Sequence, residues 1–251
     1  MTVPTLNAND NIKTLSLRYP VICIDGPSGA GKGTVTWRLA QALGYQLLDS
    51  GALYRIVGLK AFAAGLITAD ASQVIDEMAV LALTQSLNIA FVPNNESGRV
   101  DIIVNGEAVG EQVRNETIGS YASQIAVFPK VRQALLKLQQ DMASCSGLVA
   151  DGRDMGTVVF PDADVKVFLT ASAEARAERR VTQLLNAGQI ADFDAILTTI
   201  KARDDRDENR STAPSKPAED ALLLDSSNLD ADSVYEQVKR HCQNKGICFN
   251  S

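Results

Sequence analysis

Three groups of residues in this chain have the types and spacing to handle phosphate. The first is Gly26-Pro27-Ser28-Gly29-Ala30-Gly31-Lys32-Gly33-Thr34, directly after the apolar run Val21–Ile24. Glycines spaced in this way let backbone N–H groups converge on phosphate oxygens. The helix that follows adds its positive N-terminal dipole, and Lys32 adds a mobile charge. The stretch predicts a P-loop that holds a nucleoside triphosphate. Gly33 stands where Ser or Thr is usual, with Thr34 one place later. The metal of such a site would then be held by Thr34, by water or by carboxylates elsewhere.

The second group is the arginines: Arg55, Arg132, Arg153, Arg176, Arg180, Arg203, Arg206 and Arg210. A transferring phosphoryl group spreads negative charge over several oxygens, and guanidinium forks match that geometry. Arg203, Asp207 and Arg210 recur at i, i+4 and i+7, and Arg176 and Arg180 at i, i+4, so each set shares one helix face. The chain between them, near Gly188–Asp194, is loop-like. This predicts a hinged helical lid over about 176–203. The run from Arg203 to Arg210 alone would suit a solvated helix laced with ion pairs. The P-loop, whose phosphates need covering, favours the lid.

The third group follows strand ends. In Asp151-Gly152-Arg153-Asp154, one carboxylate can serve the metal or the P-loop in a Walker-B-like role. Arg153 can bind phosphate, and Asp154 can accept a hydrogen bond from an exocyclic amine. Asp49-Ser50-Gly51-Ala52-Leu53-Tyr54-Arg55 opens a helix, with Ser50 as its cap, as a ligand contact or as both.

The elements that must position these residues are legible as alternation. Val21–Ile24, Tyr45–Leu48, Leu148–Ala150, Val165–Leu169 and Ala221–Leu224 are nearly continuous apolar runs, as expected for strands buried on both faces of a parallel sheet. Helices are expected over about Lys32–Leu43, from Pro129 to before Gly147, over Ser172–Ala187 and over about Ala195–Asn209. The pattern predicts an α/β fold with an open, doubly wound, five-stranded parallel sheet. Ligands of such sheets bind beyond the carboxyl ends of the strands. From Leu87 to Glu107 the pattern changes to alternating, β-branched runs with a turn at Asn105-Gly106. This predicts a small antiparallel insertion spanning about 75–115.

Composition narrows the chemistry. With 251 residues and 45% hydrophobic content, the chain can build a sizeable core. A net charge of −6 disfavours a nucleic-acid partner. No run approaches a transmembrane helix, and residues 5–14 are too polar for a signal peptide. The first 19 residues read as a flexible extension. Four scattered cysteines without zinc spacing suit a cytoplasmic location. His241, the only histidine, lies in a C-terminal helical pattern and reads as a solvated surface residue, so His-based hydrolysis or zinc binding is disfavoured.

Together these segments resemble the bacterial cytidylate kinases, which are nucleoside monophosphate kinases. The likeness is carried by Asp25–Thr34, Leu48–Arg55, Ala122-Ser-Gln124 with Phe128-Pro129 and Arg132, Ala150–Asp162, and Arg203–Arg210. It covers nearly everything from Pro20 to about Gln243. The resemblance implies ATP-dependent, Mg²⁺-assisted phosphorylation of CMP or dCMP by a monomer. Carried onto this sequence, Gly26, Pro27, Ser28, Gly29, Ala30, Gly31, Lys32, Gly33 and Thr34 would hold the ATP phosphates, with Arg176 and Arg180 covering them. Ser50, Tyr54, Arg55, Ser123, Arg132, Arg153, Asp154, Arg203, Asp207 and Arg210 would bind CMP. Lys32, Arg153, Arg180, Arg203 and Arg206 would serve the transfer itself, and Thr34 the metal. Lys130 stands where the family often has arginine. Two rivals remain at this level: a P-loop kinase of a non-nucleotide acceptor such as a sugar acid, and a nucleotide-binding switch without rapid turnover.

Overall fold

The computed structural model describes residues 19–68, 74–94, 99–110, 112–114, 116–144 and 146–249. The expected N-terminal extension, 1–19, lies outside these apart from Tyr19. Five strands form one parallel sheet: β1 (Val21–Asp25), β2 (Gln46–Asp49), β6 (Leu148–Gly152), β7 (Val165–Thr170) and β8 (Leu222–Asp225). Their spatial order is β2-β6-β1-β7-β8, with every pair parallel. The strands match the apolar runs to within a residue or two. Successive residues of β1 feed opposite faces. Ile22 and Ile24 enter one core with Val35, Leu39, Val167 and Val238, and Val21 and Cys23 enter the other with Leu53, Val57, Ile125 and Leu135. This is why the strands read as unbroken apolar runs: neither face meets water.

Helices α1 (Lys32–Leu43) and α8 (Ala231–Asn244) cover the first face. On the second lie α2 (Ser50–Ala63), α4 (Glu116–Ile125) and α5 (Pro129–Met142). The sheet order places β6 between β2 and β1, so the carboxyl ends of these strands open onto a common edge. The P-loop, Asp49-Ser50 and Asp151–Asp154 meet there, as expected of a doubly wound sheet. Helices α6 (Ala173–Asn186) and α7 (Phe193–Asn209) form the helical pair expected as a lid, joined across Gly188, which has φ +71°. His241 on α8 is half-buried rather than solvated, and burial lowers its pKa.

The insertion carries more structure than its strand pattern indicated. Helix α3 (Glu77–Ser86) precedes an antiparallel sheet of β3 (Ile89–Asn94), β4 (Arg99–Val104) and β5 (Glu107–Ala108). Asn105 and Gly106 both have positive φ, as a tight hairpin turn requires. Ile102, Val104, Val109 and Val113 pack with Ala52 and Ile56, so the insertion rests on the helix that begins beside Ser50.

Gly26 is fixed by close approach. It has φ +138°, and a Cβ there would lie 1.9 Å from Leu169 O. Gly44, the α1 C-cap, has φ +67° with open space around it. Gly26→Ala should therefore cost about 4 kcal/mol or more. Gly44→Ala should cost about 1 to 2 kcal/mol. Urea denaturation of the two variants checks this; equal costs would contradict the packing at Gly26.

Candidate active site

The loop from Gly26 to Thr34 bends through three glycines with positive φ, Gly26, Gly29 and Gly31, and delivers Gly31 as the α1 N-cap. Lys32 begins the helix but is only 6% exposed. Its Nζ donates to Pro27 O at 3.0 Å and stands 3.6 Å from Asp151 Oδ1. Burial pulls the lysine down to about 8 and pushes the Asp151 carboxyl up to about 6, while each charge favours ionisation of the other. A Cβ on Gly33 would lie 3.9 Å from Asp151 Oδ2, so the residue after the lysine looks onto this carboxylate. Thr34 is exposed on the first turn of α1. Among the described residues no three His, Cys, Asp or Glu side chains converge into a metal cage.

A second cluster forms across from the P-loop. Arg132, on α5, pairs with Asp154, and Arg210, just past α7, places Nη2 3.6 Å from the same Asp154 oxygen. The Arg132 guanidinium also lies over the Tyr54 ring, 5.7 Å from its centre, and burial pushes the Tyr54 hydroxyl up to about 12. Arg153 Nε donates to Asp207 Oδ2 at 2.9 Å. Arg55 Nη1 donates to Val113 O at 2.9 Å. Arg55 and Arg203 approach one another at Gly119, where a Cβ would stand 3.2 Å from Arg55 Nη2 and 3.8 Å from Arg203 Nη1. Ser123 is half-buried on α4, and Ser50 is buried at the start of α2. The cap of α2 is Asp49, whose carboxylate accepts from Ala52 N at 2.9 Å. Ser50 is therefore not the cap.

The lid arginines divide. Arg176 is buried and committed to the protein. Its Nε donates to Ala171 O at 3.0 Å, its Nη1 to Ser28 O at 3.1 Å, and its two terminal nitrogens pair with both oxygens of Asp204. It thus braces the P-loop against α7. Arg180 is half-buried one turn along α6. Arg206 is not brought to the cluster expected of it. It is exposed, and its Nε donates to Ala202 O of its own helix.

With this geometry in place, comparison with known proteins is decisive. A family model for cytidylate kinase matches residues 22–244. The chain belongs to the cytidylate kinase family. It is 53% identical over 223 residues to the cytidylate kinase of Pasteurella multocida strain Pm70, covering 89% of this chain and 95% of that protein. To cytidylate kinase 1 of Haemophilus influenzae it is 51% identical over 229 residues, covering 91% and 96%. To the cytidylate kinase of Vibrio cholerae serotype O1 it is 49% identical over 231 residues, covering 92% and 99%.

Several residues that shape this cytidylate kinase family site escaped sequence reasoning. Asp204 could not be told from its acidic neighbours as the Arg176 partner. Arg179 and Ser226 hold the P-loop from outside. Arg179 donates to Ser226 O and to Ser226 Oγ, and Ser226 Oγ donates to Ala30 O at 2.9 Å. Ser226 follows β8 at the strand's carboxyl end, the only signal that could have found it. Asp204→Ala would strip Arg176 of two charge-assisted bonds and leave a buried guanidinium half-satisfied. We expect a loss of about 2 kcal/mol in unfolding free energy. Hydrogen exchange should also quicken across 193–209; unchanged exchange there would deny the brace.

Proposed function

We propose that this protein transfers the γ-phosphoryl group of ATP to CMP or dCMP, giving ADP and CDP or dCDP. The observation that carries the reading is the neighbourhood of Asp154: a buried carboxylate flanked by Arg132, Arg210 and Tyr54, opposite a P-loop. Cytosine offers an amine donor beside ring-nitrogen and carbonyl acceptors. A carboxylate can take the amine while a guanidinium and a hydroxyl, Arg132 and Ser123, serve the acceptors. Uracil presents an acceptor at the amine position and would set a lone pair against Asp154. The resulting unpaired buried groups are what reject it.

In this reading, ATP phosphates lie on the amides of Gly26–Thr34, with Lys32 beside the transferring group and Arg176 and Arg180 on the lid side. The acceptor phosphate lies among Arg55, Arg153, Arg203 and Arg210, and the sugar near Ser50 and Asp207. A phosphate oxygen of CMP attacks the γ-phosphorus, and the bond from that phosphorus to the β-phosphate bridging oxygen breaks. No general base is needed, because the attacking phosphate is already deprotonated at neutral pH. The protein's task is alignment and charge stabilisation. Arg176 must exchange part of its bonding to Asp204 for phosphate as the lid closes. The carboxylate of Asp151, beside Gly33, and the exposed hydroxyl of Thr34 would hold a Mg²⁺ ion, oxygen donors of the kind that ion takes. Such an ion would supply charge neutralisation at the phosphates. A cytoplasmic monomer fits this activity; among the described residues no helix is long and apolar enough to cross a membrane.

A coupled ADP-release assay across CMP, dCMP, UMP, AMP and shikimate tests the reading. CMP and dCMP should turn over fastest; phosphorylation of the sugar acid but not of CMP would overturn it. Asp154→Ala should lower kcat/KM for CMP more than for UMP, narrowing the ratio by about 100-fold. Lys32 carries its charge below about 8 and loses it above. In the free enzyme, kcat/KM for ATP should therefore fall as pH rises through about 8. Lys32→Arg, which stays charged, should abolish that alkaline limb at a lower plateau. A retained limb in the arginine variant would remove Lys32 from this role.

A further inference from the structure

Asp25 closes β1 directly ahead of Gly26. Its carboxylate is 5% exposed and accepts two backbone bonds: Oδ1 from Met155 N and Oδ2 from Gly156 N, both at 2.8 Å. Burying a carboxylate is costly, and an apolar residue of similar volume would pack at this position more cheaply. The two donors explain the choice. Met155 and Gly156 open a wide helical turn, Met155–Val159, closed by the bond from Phe160 N to Met155 O at 2.7 Å. The first N–H groups of any helical segment lack partners within it.

The residue at the N-cap position of this turn is Asp154. An aspartate there normally turns its carboxylate back onto the first amides. Asp154 makes no such bond. Its carboxylate goes instead to Arg132, with Arg210 close by. Of the second and third amides that a capping side chain serves, that of Gly156 is already taken from the neighbouring strand β1, as is the first, that of Met155.

We propose that Asp25 is a positioning residue for acceptor specificity: by capping the 155–159 turn from β1, it stops Asp154 from capping its own turn and keeps that carboxylate facing the base. Gly156 belongs to the same device. A Cβ there would lie 3.4 Å from Asp25 Oδ2 and 3.1 Å from Lys166 Cδ, crowding the carboxylate against its donor. The proposal rests on the reading of Asp154 as the group that recognises cytosine. It adds that the strand leading into the ATP loop also sets selectivity for the other substrate.

The test compares kcat/KM for CMP and for UMP, together with KM for ATP, in wild type, Asp25→Asn, Gly156→Ala and Asp154→Ala. Asparagine preserves volume but turns one acceptor into a donor, so one capping bond is lost and Asp154 is free to supply it. The CMP-over-UMP ratio should fall about tenfold in Asp25→Asn and less, in the same direction, in Gly156→Ala. KM for ATP should stay within about twofold, since no hydrogen bond to the P-loop is removed and Asp25 is the weakest of the charges acting on Lys32. A merely structural Asp25 would reduce the active fraction and scale both acceptors alike. An unchanged ratio in Asp25→Asn and Gly156→Ala, beside a collapsed ratio in Asp154→Ala, overturns the proposal and leaves the cytosine reading standing. Equal losses in Asp154→Ala overturn both. Should Asp25→Asn not fold, Gly156→Ala decides the matter alone.

Discussion

A site for two phosphorylated substrates must gather many cations before any anion arrives, and like charges in a partly dry cleft repel one another. The rest of this structure depends on how that constraint is met. Cations of the cleft are matched by carboxylates: Asp151 for Lys32, Asp204 for Arg176, Asp207 for Arg153, and Asp154 shared by Arg132 and Arg210. The acidic residues interleaved with the arginines of α7 are therefore not merely a solvated coat. Asp204 and Asp207 reach in from the lid and hold arginines rooted in α6 and beyond β6. The lid is tied to the sheet by the same charges that the phosphates would compete for.

The sheet order makes such pairing geometrically available. Placing β6 between β2 and β1 aligns Asp151 with Asp49 on one side and Ile24 on the other. The P-loop lysine and the 151–154 segment then share one edge although they are far apart in sequence. Because both sheet faces are covered, that edge is where the loops gather polar groups. Arg179, on α6, and Ser226, just past β8, reinforce it by bonding the P-loop carbonyls of Gly29 and Ala30. The phosphate loop is held from outside its own strand and helix, so its amides can point inward together.

What was legible in the sequence was what local physics writes there. Doubly buried strands appear as apolar runs, Gly44 and Gly188 punctuate helix ends, and the P-loop glycines announce their backbone. The hairpin showed through Asn105-Gly106. Helix α3 did not: its start signal is present in Asp76, which caps it by accepting from Met78 N and Ala79 N, but no glycine marks its end before β3 begins. Capping of α2 went to Asp49 rather than Ser50, since either residue type can cap and only the backbone angles of the built turn decide. Arg206 matched the composition of a phosphate cluster but not its face. Ion pairing was the least legible layer. Which of Asp204, Asp205 and Asp207 meets which arginine depends on how α6 and α7 pack, and no spacing rule within one helix contains that information.

Selectivity shows why such pairings matter beyond stability. Asp154 is the counter-charge of Arg132 and Arg210 and, in our reading, the acceptor for the cytosine amine. One carboxylate has four lone-pair directions, so it can hold a guanidinium and receive an amine at once. A turned-away Asp154 would leave two arginines facing one another without the carboxylate they share. Base recognition and charge balance thus constrain the same side chain in the same direction. A carboxylate already held by charge balance is oriented before the substrate arrives, and little ordering remains to be done on binding.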